Sequence, residues 1–129
     1  MKVPDITSIE DHADVIRNGI TLIEYYVTWC SPCRAQAAII EGVADDVKGK
    51  VQVARVNLDR HHRTARALGI RSVPTLVVFV NGRESLRFIG LQSRETITGE
   101  LSCVLQDRKD AVRAKPMVQG RVAPRAMDS

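Results

Sequence analysis

The junction between an apolar segment and a pair of cysteines constrains this chain more than any other feature. Ile20–Val27 (ITLIEYYV) is almost continuously apolar and rich in β-branched and aromatic residues, which is typical of a strand buried on both faces of a sheet. Cys30 and Cys33 follow closely, with Pro32 between them. Proline is well tolerated in the first turn of a helix, because the N–H that it lacks has no partner there. We therefore expect a buried strand that ends just before Cys30 and a helix whose N-terminus carries the pair.

Strand and helix patterns alternate along most of the chain. The predicted elements, in order, are helix 8–18, strand 20–27, helix 33–48, strand 50–58, helix 61–68, strands 74–80 and 84–89, and a last helix capped by Ser93. The last two strands are joined by Asn81-Gly82, the strongest short-range signal for a hairpin turn. Strands separated by helices pair in parallel, whereas a hairpin adds antiparallel strands. The sequence thus predicts an α/β fold with a central mixed β-sheet flanked by helices on both faces.

The excess of positive charge lies at the C-terminal end of the chain. Residues 1–106 hold 13 Lys and Arg against 12 Asp and Glu, whereas residues 107–129 hold six against three. The second segment also contains two prolines, one glycine and little apolar periodicity. We therefore predict one domain at 1–106 and a basic, flexible extension at 107–129. Because the extension has no aromatic residue to stack on bases, we expect no nucleic-acid partner.

Composition and cysteine content indicate a cytoplasmic protein. A chain of 129 residues with 44% hydrophobic residues is typical of a single globular domain. Its apolar runs are shorter than the roughly 18 residues that span a bilayer, and acidic residues occupy the N-terminal segment where an export signal would be apolar. We therefore expect no membrane association. In a reducing compartment, a close pair of cysteines is more often catalytic or metal-binding than structural.

Three chemistries suit a Cys-x-x-Cys pair: zinc binding, a permanent cross-link, or thiol–disulfide cycling. Structural zinc usually needs four ligands, but the chain has no second pair, and His61 and His62 are adjacent rather than three to five residues apart. The third cysteine, Cys103, lies off the apolar stripe of the last predicted helix. A cross-link that spans two residues constrains little chain. A helix N-terminus stabilises a thiolate at Cys30, and Cys33 is then placed to resolve a mixed disulfide, so the pattern favours cycling without a metal.

Glu24 is the one charged residue in the predicted strand 20–27. A carboxylate among apolar side chains has a raised pKa and can act as a general base near neutral pH. The alternative is that its side chain reaches solvent or pairs with a nearby Lys or Arg. The sequence alone leaves both possibilities open.

Residues 2–106 resemble the thioredoxin family. Trp29–Cys33 (WCSPC) is similar to the family's W-C-G-P-C, Ile70–Gly82 (IRSVPTLVVFVNG) to the segment around its cis-proline, Arg55–Asp59 (RVNLD) to the end of its central strand, and Phe88–Gly90 (FIG) to the glycine before its last helix. Several motifs in the right order are far more specific than a lone Cys-x-x-Cys. The resemblance implies a thioredoxin-like fold and a protein-disulfide reductase that serves as an electron carrier in cell redox homeostasis.

The same resemblance implies roles for single residues. Cys30 would attack a substrate disulfide, Cys33 would resolve the intermediate, and Glu24 would assist proton transfer as the family's buried aspartate does. Substrate binding would involve an apolar rim, a cis-proline loop whose backbone pairs with the substrate, and a glycine that leaves room for it: Trp29, Val73, Pro74 and Gly90.

Four residues are expected to adjust the redox potential or the choice of partner. Ser31 and Pro32 lie between the cysteines, Tyr26 stands where the family usually has tryptophan, and Arg55 replaces a lysine near the buried acid. The residues between the cysteines influence thiolate stability, and the absence of histidine there favours a reducing potential. Guanidinium cannot lose its proton, so the charge at Arg55 is fixed.

The resemblance also implies partners. Electrons would come from a flavoprotein thioredoxin reductase, the substrates would be protein disulfides, the chain would be a monomer, and it would bind no cofactor. One alternative is an oxidase or isomerase, because the potential rather than the fold sets the direction of exchange. Another is a binding module that holds a protein partner with the help of the basic extension.

Overall fold

The computed structural model describes residues 2–114, with side chains as far as Asp110. The elements in this range are α1 (Ile9–Arg17), β1 (Ile20–Tyr26), α2 (Ser31–Asp46), β2 (Gln52–Asn57), α3 (His62–Leu68), β3 (Thr75–Val80), β4 (Arg83–Ile89) and α4 (Arg94–Ala114). Every predicted element is confirmed. Apart from the end of α4, the bounds shift by one or two residues, the usual uncertainty of helix and strand ends.

The four strands form one mixed sheet in the order β2-β1-β3-β4. β1 pairs in parallel with β2, and β3 is antiparallel to both β1 and β4. The β3–β4 hairpin turns at Asn81 and Gly82, which have φ angles of 50° and 86°. Asn and Gly tolerate this left-handed conformation best, so the turn confirms the sequence signal. β1 is a central strand, and Glu24 lies between Arg55 of β2 and Leu76 of β3.

Helices cover both faces of the sheet. Ile23 and Tyr25 of β1 share a buried cluster with residues of α1 and α3, such as Ile16 and Leu68. Side chains alternate along a strand, so Leu22 and Glu24 point to the opposite face. That face is covered by α2, which contacts β1 and β2. The predicted arrangement of helices on both faces is confirmed, and it places Glu24 under the helix that carries the cysteines.

The buried stripe of α2 differs in part from the prediction. We expected Ala37, Ile40, Ala44 and Val47 on one face; Ile40, Ala44 and Val47 are buried, but Ala37 is only half-buried. Gln36, a polar residue, is fully buried in its place. The periodicity of apolar residues does not predict that such a residue is buried, because its burial depends on hydrogen bonds to distant parts of the chain.

The first part of the predicted extension, residues 107–114, lies within α4. α4 continues to Ala114 because residues 107–114 (DRKDAVRA) contain no glycine or proline, and the first breaker is Pro116. Gln106 donates a hydrogen bond to Asp110 one turn later, at 3.1 Å. The described residues divide into two compact units, with the division between Thr98 and Gly99. The rest of the predicted extension, residues 115–129, lies outside the described residues.

Candidate active site at the Cys30–Cys33 pair

The two cysteines occupy the first turn of α2 and form a disulfide. Cys30 is the N-cap of the helix, and its Sγ accepts a hydrogen bond from the Cys33 N–H at 3.2 Å. Cys30 is partly exposed, whereas Cys33 is only 1% exposed. The predicted placement at a helix N-terminus is confirmed. An external disulfide can therefore approach Cys30 but not Cys33.

Glu24 is fully buried, so the possibility that its side chain reaches solvent is wrong. Its Oε1 accepts a hydrogen bond from Arg55 Nε at 2.9 Å, so the alternative that Glu24 pairs with a nearby Lys or Arg is confirmed. Its Oε2 has no hydrogen-bond partner among the described residues. Burial raises the pKa of Glu24 to about 7, and the positive charge of Arg55 opposes part of that shift. Near neutral pH, this carboxyl group can take up or release a proton.

Arg55 links the buried acid to the edge of the sheet. Its guanidinium lies over the ring of Tyr26, 3.7 Å from the centroid, in a cation–π contact. The Tyr26 hydroxyl donates to Asp5 Oδ1 at 2.6 Å, and burial raises the pKa of Tyr26 to about 12. The hydroxyl group of Tyr26, a residue predicted to adjust the potential or the choice of partner, is thus held by Asp5. Asp5 itself is fixed by a parallel bridge to Arg55, and nothing in the sequence pattern pointed to it.

The segment before β3 meets the end of β4. The Val73-Pro74 peptide bond is cis, as the resemblance implied. The Gly90 N–H donates to the Pro74 carbonyl at 2.9 Å, which brings the two predicted substrate-binding segments together. Gly90 has a φ of 91°, and apart from its chain neighbours no described residue has a heavy atom within 4 Å of where its Cβ would stand. A larger residue would therefore be strained by the backbone rather than by crowding.

Trp29 stands clear of the domain, with 91% of its surface exposed. The turn that carries it is tied to the end of β2: Asp59 Oδ2 accepts from the Thr28 N–H at 3.0 Å, and Asn57 Nδ2 donates to Thr28 Oγ1 at 3.3 Å. A large exposed indole beside a reactive pair is available for contact with a partner. Asn57 and Asp59 lie in the segment Arg55–Asp59 that resembles the family, but no role was predicted for either side chain.

The remaining candidates take no part in this site. His61 is the N-cap residue of α3 without a side-chain capping bond, and His62 is exposed in its first turn. Within residues 2–114, no three His, Cys, Asp or Glu side chains are grouped so that they could hold a metal ion. Cys103 is exposed and does not join the disulfide. None of the described helices is long and apolar enough to cross a membrane.

Together, the fold and the site define a class: an α/β domain with a disulfide at a helix N-terminus, suited to dithiol–disulfide exchange. The thioredoxin family model matches residues 4–102. The thioredoxin of Alicyclobacillus acidocaldarius is 39% identical over 85 residues, which are 66% of this chain and 81% of the relative. The thioredoxin of Griffithsia pacifica is 32% identical over 102 residues, or 78% and 94% of the two chains.

Solved structures of thioredoxins share the fold of this chain. A Malassezia sympodialis thioredoxin superposes with a TM-score of 0.68 at 27% identity, covering 81% of this chain and 89% of that one. A mutant thioredoxin from Halobacterium salinarum gives a TM-score of 0.68 at 30% identity, covering 74% and 85%. The chain belongs to the thioredoxin family. It is a dithiol–disulfide oxidoreductase that reduces protein disulfides.

Proposed function

We propose that the chain is a monomeric cytoplasmic electron carrier that takes electrons from a flavoprotein thioredoxin reductase and passes them to protein disulfides. Cys30 is the nucleophile, Cys33 the resolving thiol and Glu24 the proton acceptor. The observation that carries this assignment is the unequal exposure of the pair, since Cys30 is accessible and Cys33 is buried one turn inside α2.

The reaction proceeds in two exchanges. The Cys30 thiolate attacks one sulfur of the substrate disulfide, a mixed disulfide forms, and the other substrate sulfur leaves as a thiolate that takes a proton. Cys33 then loses its proton and attacks Cys30 Sγ, which releases the second substrate sulfur. The substrate gains two electrons, and the enzyme ends in the disulfide form that the structure describes.

Glu24 accepts the proton that the Cys33 thiol loses. It lies on the sheet face that α2 covers, and its Oε2 is free of hydrogen bonds to the described residues. A general base is most effective when its pKa lies near the working pH, and a pKa of about 7 meets this condition. Arg55 keeps the ionised form accessible by holding Oε1.

Trp29, Val73, Pro74 and Gly90 form the docking surface for the substrate. An extended substrate segment pairs with the backbone of Val73, in the manner of a strand added to a sheet edge. This proposal is supported by the exposure of Trp29 and by the open space around Gly90.

Ser31, Pro32, Tyr26 and Arg55 adjust the potential of the pair. Ser31 and Pro32 form the first helical residues beside Cys30, and they offer no titratable group to it. Arg55 acts on Glu24 directly, through a hydrogen bond. Tyr26 acts on Glu24 indirectly, because its ring contacts the guanidinium of Arg55. This arrangement favours a reductase over an oxidase or isomerase.

Insulin reduction with NADPH and a thioredoxin reductase tests the proposal, together with a redox titration of the pair and sedimentation of the reduced protein. We expect rapid turnover, a low potential and a monomer. Cys30→Ser should abolish turnover, and Cys33→Ser should trap a mixed disulfide at Cys30. A high potential with poor turnover would indicate an oxidase, and a pair that does not titrate would indicate a binding module.

A further inference from the structure

Gln36 makes an unusual pair of contacts in the core. It lies in α2 one turn beyond Cys33 and is fully buried. Its Oε1 accepts from the Gln92 N–H at 2.7 Å, and its Nε2 donates to the Gln92 carbonyl at 3.1 Å. One side-chain amide thus satisfies both backbone groups of a residue 56 positions away, as a neighbouring strand would.

The residue that Gln36 holds belongs to the segment Ile89–Gln92, which starts at the last residue of β4. In this segment, Gly90 donates to the Pro74 carbonyl at 2.9 Å. Ile89 and Leu91 flank it and are 67% and 50% exposed, large values for apolar residues. Gln36 therefore connects the helix that carries the cysteines to the segment that lies beside the cis-proline.

Core packing alone does not account for a glutamine here. The neighbours of Gln36 on the buried stripe of α2 include Cys33, Ile40 and Val43, and an apolar side chain would continue that stripe. A buried amide is stabilised only when its polar atoms are paired, which both atoms are. What an apolar residue could not do is pair with the Gln92 backbone, so the distinctive effect of Gln36 is to hold that segment.

We propose that Gln36 is a positioning residue for protein substrates. By tying Gln92 to α2, it holds Gly90 and the flanking apolar side chains in place before a substrate arrives. A preorganised surface binds more tightly because less ordering is left to occur on binding. The inference rests on the proposed docking surface. It assigns to Gln36 an effect on the KM for folded disulfide substrates, and no direct effect on the chemistry at Cys30.

Gln36→Leu tests this assignment, because leucine fits an apolar stripe and removes both hydrogen bonds. We expect the KM for insulin to rise about five- to tenfold with kcat changed less than about twofold. The rate with a small aromatic disulfide, which needs little docking surface, should change less than about twofold. Hydrogen exchange of the Gln92 amide should become faster.

Gln52→Leu is the matched control. Gln52 lies at the opposite end of the sheet, beside Thr21, and its side chain donates to the Val15 and Asn18 carbonyls at 3.3 and 3.4 Å. The same substitution there should leave the KM for insulin unchanged.

Gln36→Glu is the conservative variant. At alkaline pH, where its carboxyl group is ionised, this variant keeps an acceptor for the Gln92 N–H but loses the donor, so its KM measured there should lie between those of wild type and Gln36→Leu. If Gln36→Leu does not fold, a wild-type KM in Gln36→Glu overturns the proposal. An unchanged KM in folded Gln36→Leu, or equal losses with insulin and the small disulfide, also overturns it. A wild-type protein that fails to reduce insulin would instead refute the proposed function.

Discussion

Two buried polar side chains lie at the contact between α2 and the sheet, Gln36 on the helix and Glu24 on the strand beneath it, and their hydrogen bonding is opposite. The amide of Gln36 is neutral, and both of its polar atoms are paired with one backbone residue. The carboxyl of Glu24 is ionisable, and only one of its oxygens has a partner among the described residues. A fully paired neutral group fixes one geometry, whereas a half-paired acid can change its protonation state at modest cost. The first is suited to positioning and the second to proton transfer.

Glu24→Gln should produce the largest effect, because it replaces the ionisable carboxyl group with a neutral amide that cannot accept the proton. The variant keeps the size of the side chain and a possible contact with Arg55, so we expect it to fold. Turnover in insulin reduction should fall about 100-fold, the usual order for loss of a general base. The limb of the pH–rate profile near pH 7 should disappear. Unchanged turnover from pH 6 to 9 would remove Glu24 from the mechanism.

The second prediction concerns stability and follows from the same raised pKa. Glu24 binds its proton more tightly in the folded state, since its pKa rises from 4.5 to about 7. Between these values the folded state holds more protons than the unfolded state, so its contribution is present at low pH and is lost as pH rises. Unfolding of the disulfide form in denaturant should show about 2 kcal/mol less stability from this group at pH 8 than at pH 5.

The matched control for this stability change is Glu24→Gln, in which the loss between pH 5 and pH 8 should disappear. The two proteins should differ most at alkaline pH, with the variant the more stable. An equal pH dependence in both proteins would show that Glu24 does not titrate in this range.

A smaller effect is expected from Arg55→Met, which removes the hydrogen bond and the positive charge that favour the ionised form of Glu24. The positive charge of Arg55 lowers the pKa of Glu24, so its loss should move the limb of the pH–rate profile upward by about one pH unit. Arg55→Lys keeps the charge and should shift the limb less. A downward shift in Arg55→Met would contradict the assigned pairing.

The smallest effect is expected from Tyr26→Phe, which breaks the 2.6 Å hydrogen bond to Asp5 and leaves the ring under Arg55. Loss of one partly exposed hydrogen bond should reduce the free energy of unfolding by about 1 kcal/mol, and turnover should change less than about threefold. Thermal unfolding and insulin reduction measure the two quantities. A tenfold loss of turnover would show that the Tyr26 hydroxyl takes part in the reaction and not only in the hydrogen bond to Asp5.

The features predicted well from sequence depend on neighbouring residues. The β1–α2 junction and the Asn81-Gly82 hairpin each follow from a few adjacent side chains. Glu24 was singled out as a candidate for the same reason, because a single charge in an apolar strand is conspicuous.

The features that were missed depend on contacts between distant segments. Gln36 meets Gln92 across 56 residues, and Tyr26 meets Asp5 across 21. A polar residue on a helix is usually exposed, so its own position gave no sign that it would be buried. The end of α4 was misplaced for a different reason: a charged segment without breakers can continue a helix whose first turns have already formed.

The central claim is that a buried acid beneath the cysteine helix can accept a proton at neutral pH. The most direct test is a titration of the Glu24 carboxyl in the disulfide form, in which neither Cys30 nor Cys33 titrates. Difference infrared or carbon NMR spectra of wild type against Glu24→Gln isolate that group. We expect a midpoint near pH 7. A midpoint near the ordinary value of 4.5 would contradict it.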